Sequence, residues 1–172
     1  MKRTLTLLLA IFFLFGCKQV NELTPDEKVK IANEVKQISL NYWELNRDLT
    51  RENYEKVQSY YDRNFESLWQ TEPVMAVLNL NSVKSFDEFL KKFDEIFEDR
   101  ASTDFTIHNQ HLSALSRDVV VEVIEMDYTI HNRDGEVYGP FDSVFTIIWH
   151  KIGGEWKCFH INQAYRTKKV AQ

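Results

Sequence analysis

The chain is poor in residues that cross-link, stiffen or break a backbone. Its 172 residues include two cysteines, three prolines and five glycines. Two cysteines allow one disulfide at most, which excludes a small disulfide-framed domain. No glycine-rich phosphate loop, His-Glu-x-x-His, paired-cysteine site or nucleophile elbow is present. His108 and His111 stand three apart, so on a regular strand they face opposite ways and cannot share a metal. Neither a metal nor a cofactor is therefore expected. Positive charge is also scarce: 21 Lys and Arg against 26 Asp and Glu leave a net charge of −5. Such a chain has no electrostatic reason to bind nucleic acid or anionic lipid.

What is plentiful is aromatic side chains: twelve Phe, seven Tyr and four Trp. With 44% hydrophobic and 27% charged residues, the composition is that of one ordinary globular domain. A chain of this size can bury a core and still line a pocket with rings. Trp43, Trp69, Trp149 and Trp156 read as core.

The first residues carry an address. Met1-Lys2-Arg3 is basic, and Leu5 to Phe15 is apolar except for Thr6. That run falls short of the roughly 20 residues a helix needs to cross a bilayer, and has the length of a secretory signal. It ends in Leu14-Phe15-Gly16-Cys17, which resembles the lipobox of bacterial lipoproteins, with Phe15 standing where a smaller residue is usual. The resemblance implies that residues 1–16 are removed and that Cys17 is acylated, with 17–24 as a lipidated tether and 25–172 as the domain. Loss of Lys2 and Arg3 would take the charge from −5 to −7. Lys18 after the cysteine implies the outer membrane if the host is Gram-negative. Cys158 would then have no partner for an internal disulfide, and it reads as a small core residue.

Thr24-Pro25-Asp26-Glu27 combines an N-cap, a proline at the first helical position and a capping box. Ile31, Val35, Ile38, Tyr42, Leu45 and Leu49 follow at spacings of three and four, which predicts a helix over about 25–47. Thr50 caps a second, with Tyr54, Val57 and Tyr61 on its buried face. Residues 65–69 read as a short strand, and 73–80 are ambiguous. Ser85 and Glu88 form another capping box, opening a helix over 86–98 whose stripe is Phe86, Phe89, Leu90, Phe93 and Phe97. After residue 103 the pattern turns extended, with strands over 105–115, 119–130, 141–151 and 156–165. Asp134-Gly135 and Gly153-Gly154 mark two-residue hairpin turns. Helices followed by three or four antiparallel strands make an α+β domain with helices on one sheet face.

The stretch Phe145-Thr146-Ile147-Ile148-Trp149-His150-Lys151, then Gly154-Glu155-Trp156-Lys157-Cys158-Phe159-His160-Ile161-Asn162, resembles the end of the nuclear transport factor 2-like (SnoaL-like) superfamily. Ser116-Arg117-Asp118-Val119-Val120-Val121 resembles the turn and strand before it. The resemblance covers roughly residues 25–166. It implies a cone: a curved antiparallel sheet wrapped around a pocket closed by helices, often as a dimer. The superfamily holds isomerases, dehydratases and members without known chemistry, so the fold does not translate into a reaction.

With two-residue turns, Ile147 faces both Glu122 and His160, Phe145 faces Ile124 and Asn162, Trp149 faces Cys158, and Phe141 faces Tyr128. One face then carries Val120, Glu122, Ile124, Met126, Tyr128, Phe145, Ile147, Trp149, Cys158, His160 and Asn162. Glu122, His160 and Asn162 are the polar candidates there. Tyr42, Phe93, Phe97, Tyr128 and Trp149 are the ring-bearing pocket candidates. Glu122 and His160 would stand about 10 Å apart across Ile147. A substrate between them could exchange a proton with either, as in a cofactor-free isomerase or dehydratase. The competing reading makes them satisfied core or surface groups, and the domain a non-catalytic binder of a small apolar ligand or a partner protein. A purely structural module is the third. The second face, with Val119, Val121, Val123, Val144, Thr146, Ile148, Phe159 and Ile161, is apolar too, and predicts a homodimer through the sheet. Gly139-Pro140 interrupts its strand. One inserted residue there would flip 119–130 to the other face.

Overall fold

The structure, a computed structural model, describes residues 22–69 and 86–166. Residues 1–21, Cys17 among them, residues 73–80 and Ser85 lie outside them. Helix α1 (Pro25–Arg47), helix α2 (Arg51–Ser59) and strand β1 (Tyr61–Trp69) come first. Helix α3 (Phe86–Asp99) and strands β2 (Arg100–Ala114), β3 (Val119–Asn132), β4 (Val137–Ile152) and β5 (Glu155–Arg166) follow. The architecture is the expected α+β one, with helices packed on a curved five-stranded sheet.

Helix α1 starts as its capping box dictates. The Thr24 hydroxyl accepts the Glu27 N–H at 3.2 Å, and the Glu27 carboxylate accepts the Thr24 N–H at 2.9 Å. Its buried side is Val35, Ser39, Tyr42 and Trp43, while Ile31, Ile38 and Leu45 are half-buried against the same core. The stripe is thus rotated slightly from the predicted one, and a serine sits in its middle. Helix α1 lies against β2 and β3 on the concave face. Helix α3 reaches β1 and the start of β2 instead. The helix that fills the sheet is therefore α1, not the phenylalanine-rich one.

Two strands differ from expectation. Tyr61 opens β1 rather than ending α2, and β1 runs parallel to β5 at the sheet edge. The sheet order is β1-β5-β4-β3-β2, so it has five strands and one parallel pair. Hydrogen bonding from the Cys158 N–H to the Tyr60 carbonyl at 2.6 Å starts that pairing.

The β3–β4 turn spans three residues, with the Asn132 N–H donating to the Glu136 carbonyl at 2.8 Å around Arg133-Asp134-Gly135. The extra residue is cancelled further on. Gly139 and Pro140 together oppose Thr129, since Ile130 pairs with Tyr138 and Tyr128 with Phe141. Gly139 has φ +118°, and a Cβ there would lie 2.8 Å from the Tyr128 carbonyl oxygen, so the bulge requires glycine. Two offsets of one residue restore the register, and Glu122 faces Ile147 as predicted.

Strand β5 has no such compensation. Its two-residue turn pairs Trp149 with Cys158, but Ile148 then pairs with His160, leaving Phe159 as a bulge. From there every β5 side chain is on the opposite face from the one predicted. Ile161 and Gln163 point inward and are buried, and His160 and Asn162 take the outer face. A bulge at His108 on β2 likewise places it beside Asp127, at 3.1 Å, on the exposed face with His111. The two histidines share a face after all, yet no group of three metal-ligating side chains exists among the described residues.

Candidate functional site

The concave face gathers the buried polar groups. Glu122 on β3 is fully buried, and three elements bring it donors. The Ser39 hydroxyl of α1 donates to Oε1 at 2.6 Å. The Gln110 amide of β2 donates to the same oxygen at 2.7 Å, and the Trp149 indole of β4 donates to Oε2 at 2.7 Å. A buried carboxylate is tolerated only when satisfied in this way. Glu122 therefore ties α1 to three strands.

Toward the other end of β3, Gln163 Nε2 donates to the Tyr128 hydroxyl at 2.8 Å and lies 3.5 Å from the Ser143 hydroxyl. Tyr42 and Tyr61 share a hydrogen bond of 2.5 Å. Burial raises the phenol pKa of Tyr42, Tyr61 and Tyr128, so all three stay protonated at neutral pH. Burial, with the Glu122 carboxylate nearby, also pushes the Cys158 thiol up. A thiol held protonated is a core residue and not a nucleophile. Among the described residues, three buried polar atoms have no hydrogen-bond partner: Trp43 Nε1, Arg100 Nε and Thr103 Oγ1.

Of the sequence-derived candidates, Glu122, Tyr42, Tyr128 and Trp149 come together in the interior. His160 does not. It pairs with Ile148 on the outer face, and Asn162 pairs with Thr146 on the same side. The predicted Glu122–His160 pair across Ile147 is corrected by the Phe159 bulge, which no turn motif announces. Phe97 is buried in a separate cluster with Leu49 and Tyr54, and half-buried Phe93 stacks on Tyr54 with ring centroids 5.4 Å apart. Phe93 also packs against the main core, meeting Tyr61 edge-on at 5.9 Å, so Phe97 is the candidate that stands apart. Cys17 lies outside the described residues.

The sequence reading missed Ser39, Gln110, Ser143, Gln163 and Arg100. Ser39 had a signal: it stands four residues after Val35 and three before Tyr42, in an apolar stripe. Ser143 alternates with Phe145, which placed it on the inner face. Gln163 was hidden by the bulge, and Arg100 reads as an ordinary charge at a helix–strand junction.

A cleft of about 410 Å³ opens elsewhere, between α1, Tyr60 and the β4–β5 turn. Its wall includes Glu34, which accepts from Lys151 Nζ at 3.0 Å and the Trp156 indole at 2.8 Å. Those donors hold its carboxyl below the usual range.

No family model matches the chain, and no curated protein does. Solved structures do match in fold. A nuclear transport factor 2-like protein of unknown function from Pseudomonas putida superposes with TM-score 0.61 at 10% identity, over 80-odd per cent of this chain (83%) and 91% of that one. The association domain of C. elegans CaMKII gives TM-score 0.58 at 15% identity, covering 81% and 98%. The type 3 hexachlorocyclohexane dehydrochlorinase of Novosphingobium barchaimii gives 0.56 at 11% identity, covering 79% and 89%. The chain has the nuclear transport factor 2-like fold. Its neighbours include an enzyme and an association domain, so the fold alone does not assign a reaction.

Proposed function

We propose that the mature chain is a lipid-anchored envelope protein whose cone-shaped domain binds a small apolar ligand, or a partner protein, without catalysis. One observation carries the second half of that reading. The two groups that could have formed a base pair stand on opposite faces of the sheet, and Glu122 is engaged by Ser39, Gln110 and Trp149. A ring-rich interior without an available base favours binding over proton transfer. The isomerase or dehydratase alternative, with Glu122 or His160 as base, has only the fold of its neighbours in its favour.

Anchoring rests on the lipobox-like Leu14-Phe15-Gly16-Cys17. Among the described residues no helix is long and apolar enough to cross a membrane. We place the acyl chains on Cys17, which together supply the hold that a single chain lacks. The outer sheet face supports self-association. Val121, Val123, Val144 and Ile148 are half-buried with nothing over them among the described residues, and Phe159 is 36% exposed. The described neighbours' association domains agree with a homo-oligomer.

The full chain, expressed in a bacterium fed an alkyne-bearing palmitate, should incorporate label, and Cys17→Ser should abolish it. Purified in detergent, it should bind the neutral dye Nile red saturably. Turnover of a halogenated cyclohexane that is lost in Glu122→Gln with the fold intact would overturn the non-catalytic reading.

A further inference from the structure

Among the arginines whose side chains are described, four have obvious partners. Arg47 pairs with Glu44, Arg51 with Glu98, Arg117 with Glu27, and Arg133 donates to the Leu49 and Phe97 carbonyls. The Nε of Arg100 lies out of reach of solvent and has no hydrogen-bond partner among the described residues. A guanidinium nitrogen withdrawn from water is normally paired, because its desolvation is otherwise costly.

Its surroundings tell what is missing. Arg100 opens β2, opposite Asn132, and its charge acts on the phenols of both Tyr42 and Tyr128. The Tyr128 hydroxyl is engaged by Gln163 and Ser143. Thr103, three residues along β2, and Trp43, next to Tyr42, hold the other two unpartnered polar atoms. Apolar surface adjoins them: Trp43 meets Phe145 edge-on at 4.9 Å and Phe105 at 6.2 Å. Phe105 and Arg100 keep partial exposure, so this end of the cone is reached from outside.

We propose that the start of β2 is an anion site, in which Arg100 holds the carboxylate of a small aromatic acid whose ring lies against Trp43, Phe105 and Phe145. This deepens the ligand-binding reading and rests on it. A guanidinium presents a planar fork that matches a carboxylate with two parallel hydrogen bonds. One unpaired cation suits one negative charge; a phosphate would bring nearly two. The protein's overall acidity makes the local preference specific to this spot, since its general field repels anions.

The test titrates the full chain in detergent with 3-phenylpropionate and with 3-phenylpropionamide, the same skeleton without charge, by calorimetry. The acid should bind at least tenfold more tightly than the amide. Arg100→Met should erase that preference, and Arg100→Lys should recover part of it. Equal binding of acid and amide, or a preference that survives Arg100→Met, overturns the anion site and leaves the apolar-ligand reading standing. Failure of Nile red as well as both phenylpropionyl compounds removes that reading too. Should Arg100→Met not fold, Arg100→Gln replaces it, and the wild-type acid–amide comparison decides independently.

Discussion

Glu122, fully buried, and Arg100, partly buried, are treated in opposite ways by the fold. Glu122 receives a hydroxyl, an amide and an indole N–H from α1, β2 and β4. The Nε–H of Arg100, about twenty residues earlier in the chain, has no acceptor among the described residues. The comparison separates structure from recognition. A charge whose partners are all supplied by the fold has been used up by the fold. A charge left without partners keeps its interaction energy for something that arrives later.

The comparison breaks most violently at Glu122. Glu122→Leu keeps much of the volume but leaves three buried donors without an acceptor, and should destabilise by ~3–5 kcal/mol in urea titration. A loss under about 1 kcal/mol would mean that the network is not holding the elements together. Trp149→Phe, which removes only the indole donor and some ring area, should cost ~1–3 kcal/mol by the same measurement. Arg100→Met should go the other way: ligand-free protein should be as stable or more stable, by up to ~1 kcal/mol, because an unpaired charge is replaced by an apolar chain of similar length. A clear destabilisation would move Arg100 into the structural class with Glu122. The smallest effect belongs to the surface, where Glu34 holds Lys151 and Trp156. Its carboxyl is depressed in the fold relative to the unfolded value of 4.5, so its ionised form stabilises the protein above that pH and the gain is lost as pH falls. Glu34→Gln should therefore lower the melting temperature slightly at pH 7, by several tenths of a kcal/mol for so exposed a pair, and the difference should shrink as the pH falls through the depressed titration of Glu34.

How far the site could be read in advance depended on bulges. The faces of β3 and β4 were legible because hydrophobic alternation runs unbroken from Val119 to Ile130 and from Phe141 to Trp149, and because a three-residue turn and the Gly139-Pro140 bulge cancel. Glu122 was thus placed correctly opposite Ile147. The face of β5 was not legible beyond Cys158. The stretch Trp156-Lys157-Cys158-Phe159-His160-Ile161 has apolar residues at both parities, so a shift at Phe159 costs no hydrophobic burial and leaves no trace in the pattern. The partners of Glu122 come from residues 39, 110 and 149, and no local spacing could connect them.

By itself, the sequence determined the elements: where α1 begins, which segments are helical or extended, the α+β class, and the alternation that buries one side of β3 and β4. These follow from capping, periodicity and turn chemistry, which act within a few residues. The tertiary structure alone decided which polar groups meet. Strand bulges set parity, and long-range pairing brought three donors to Glu122 and no acceptor to the Arg100 Nε–H, because hydrogen-bond satisfaction of a buried polar group is a property of the assembled core and not of any segment of chain.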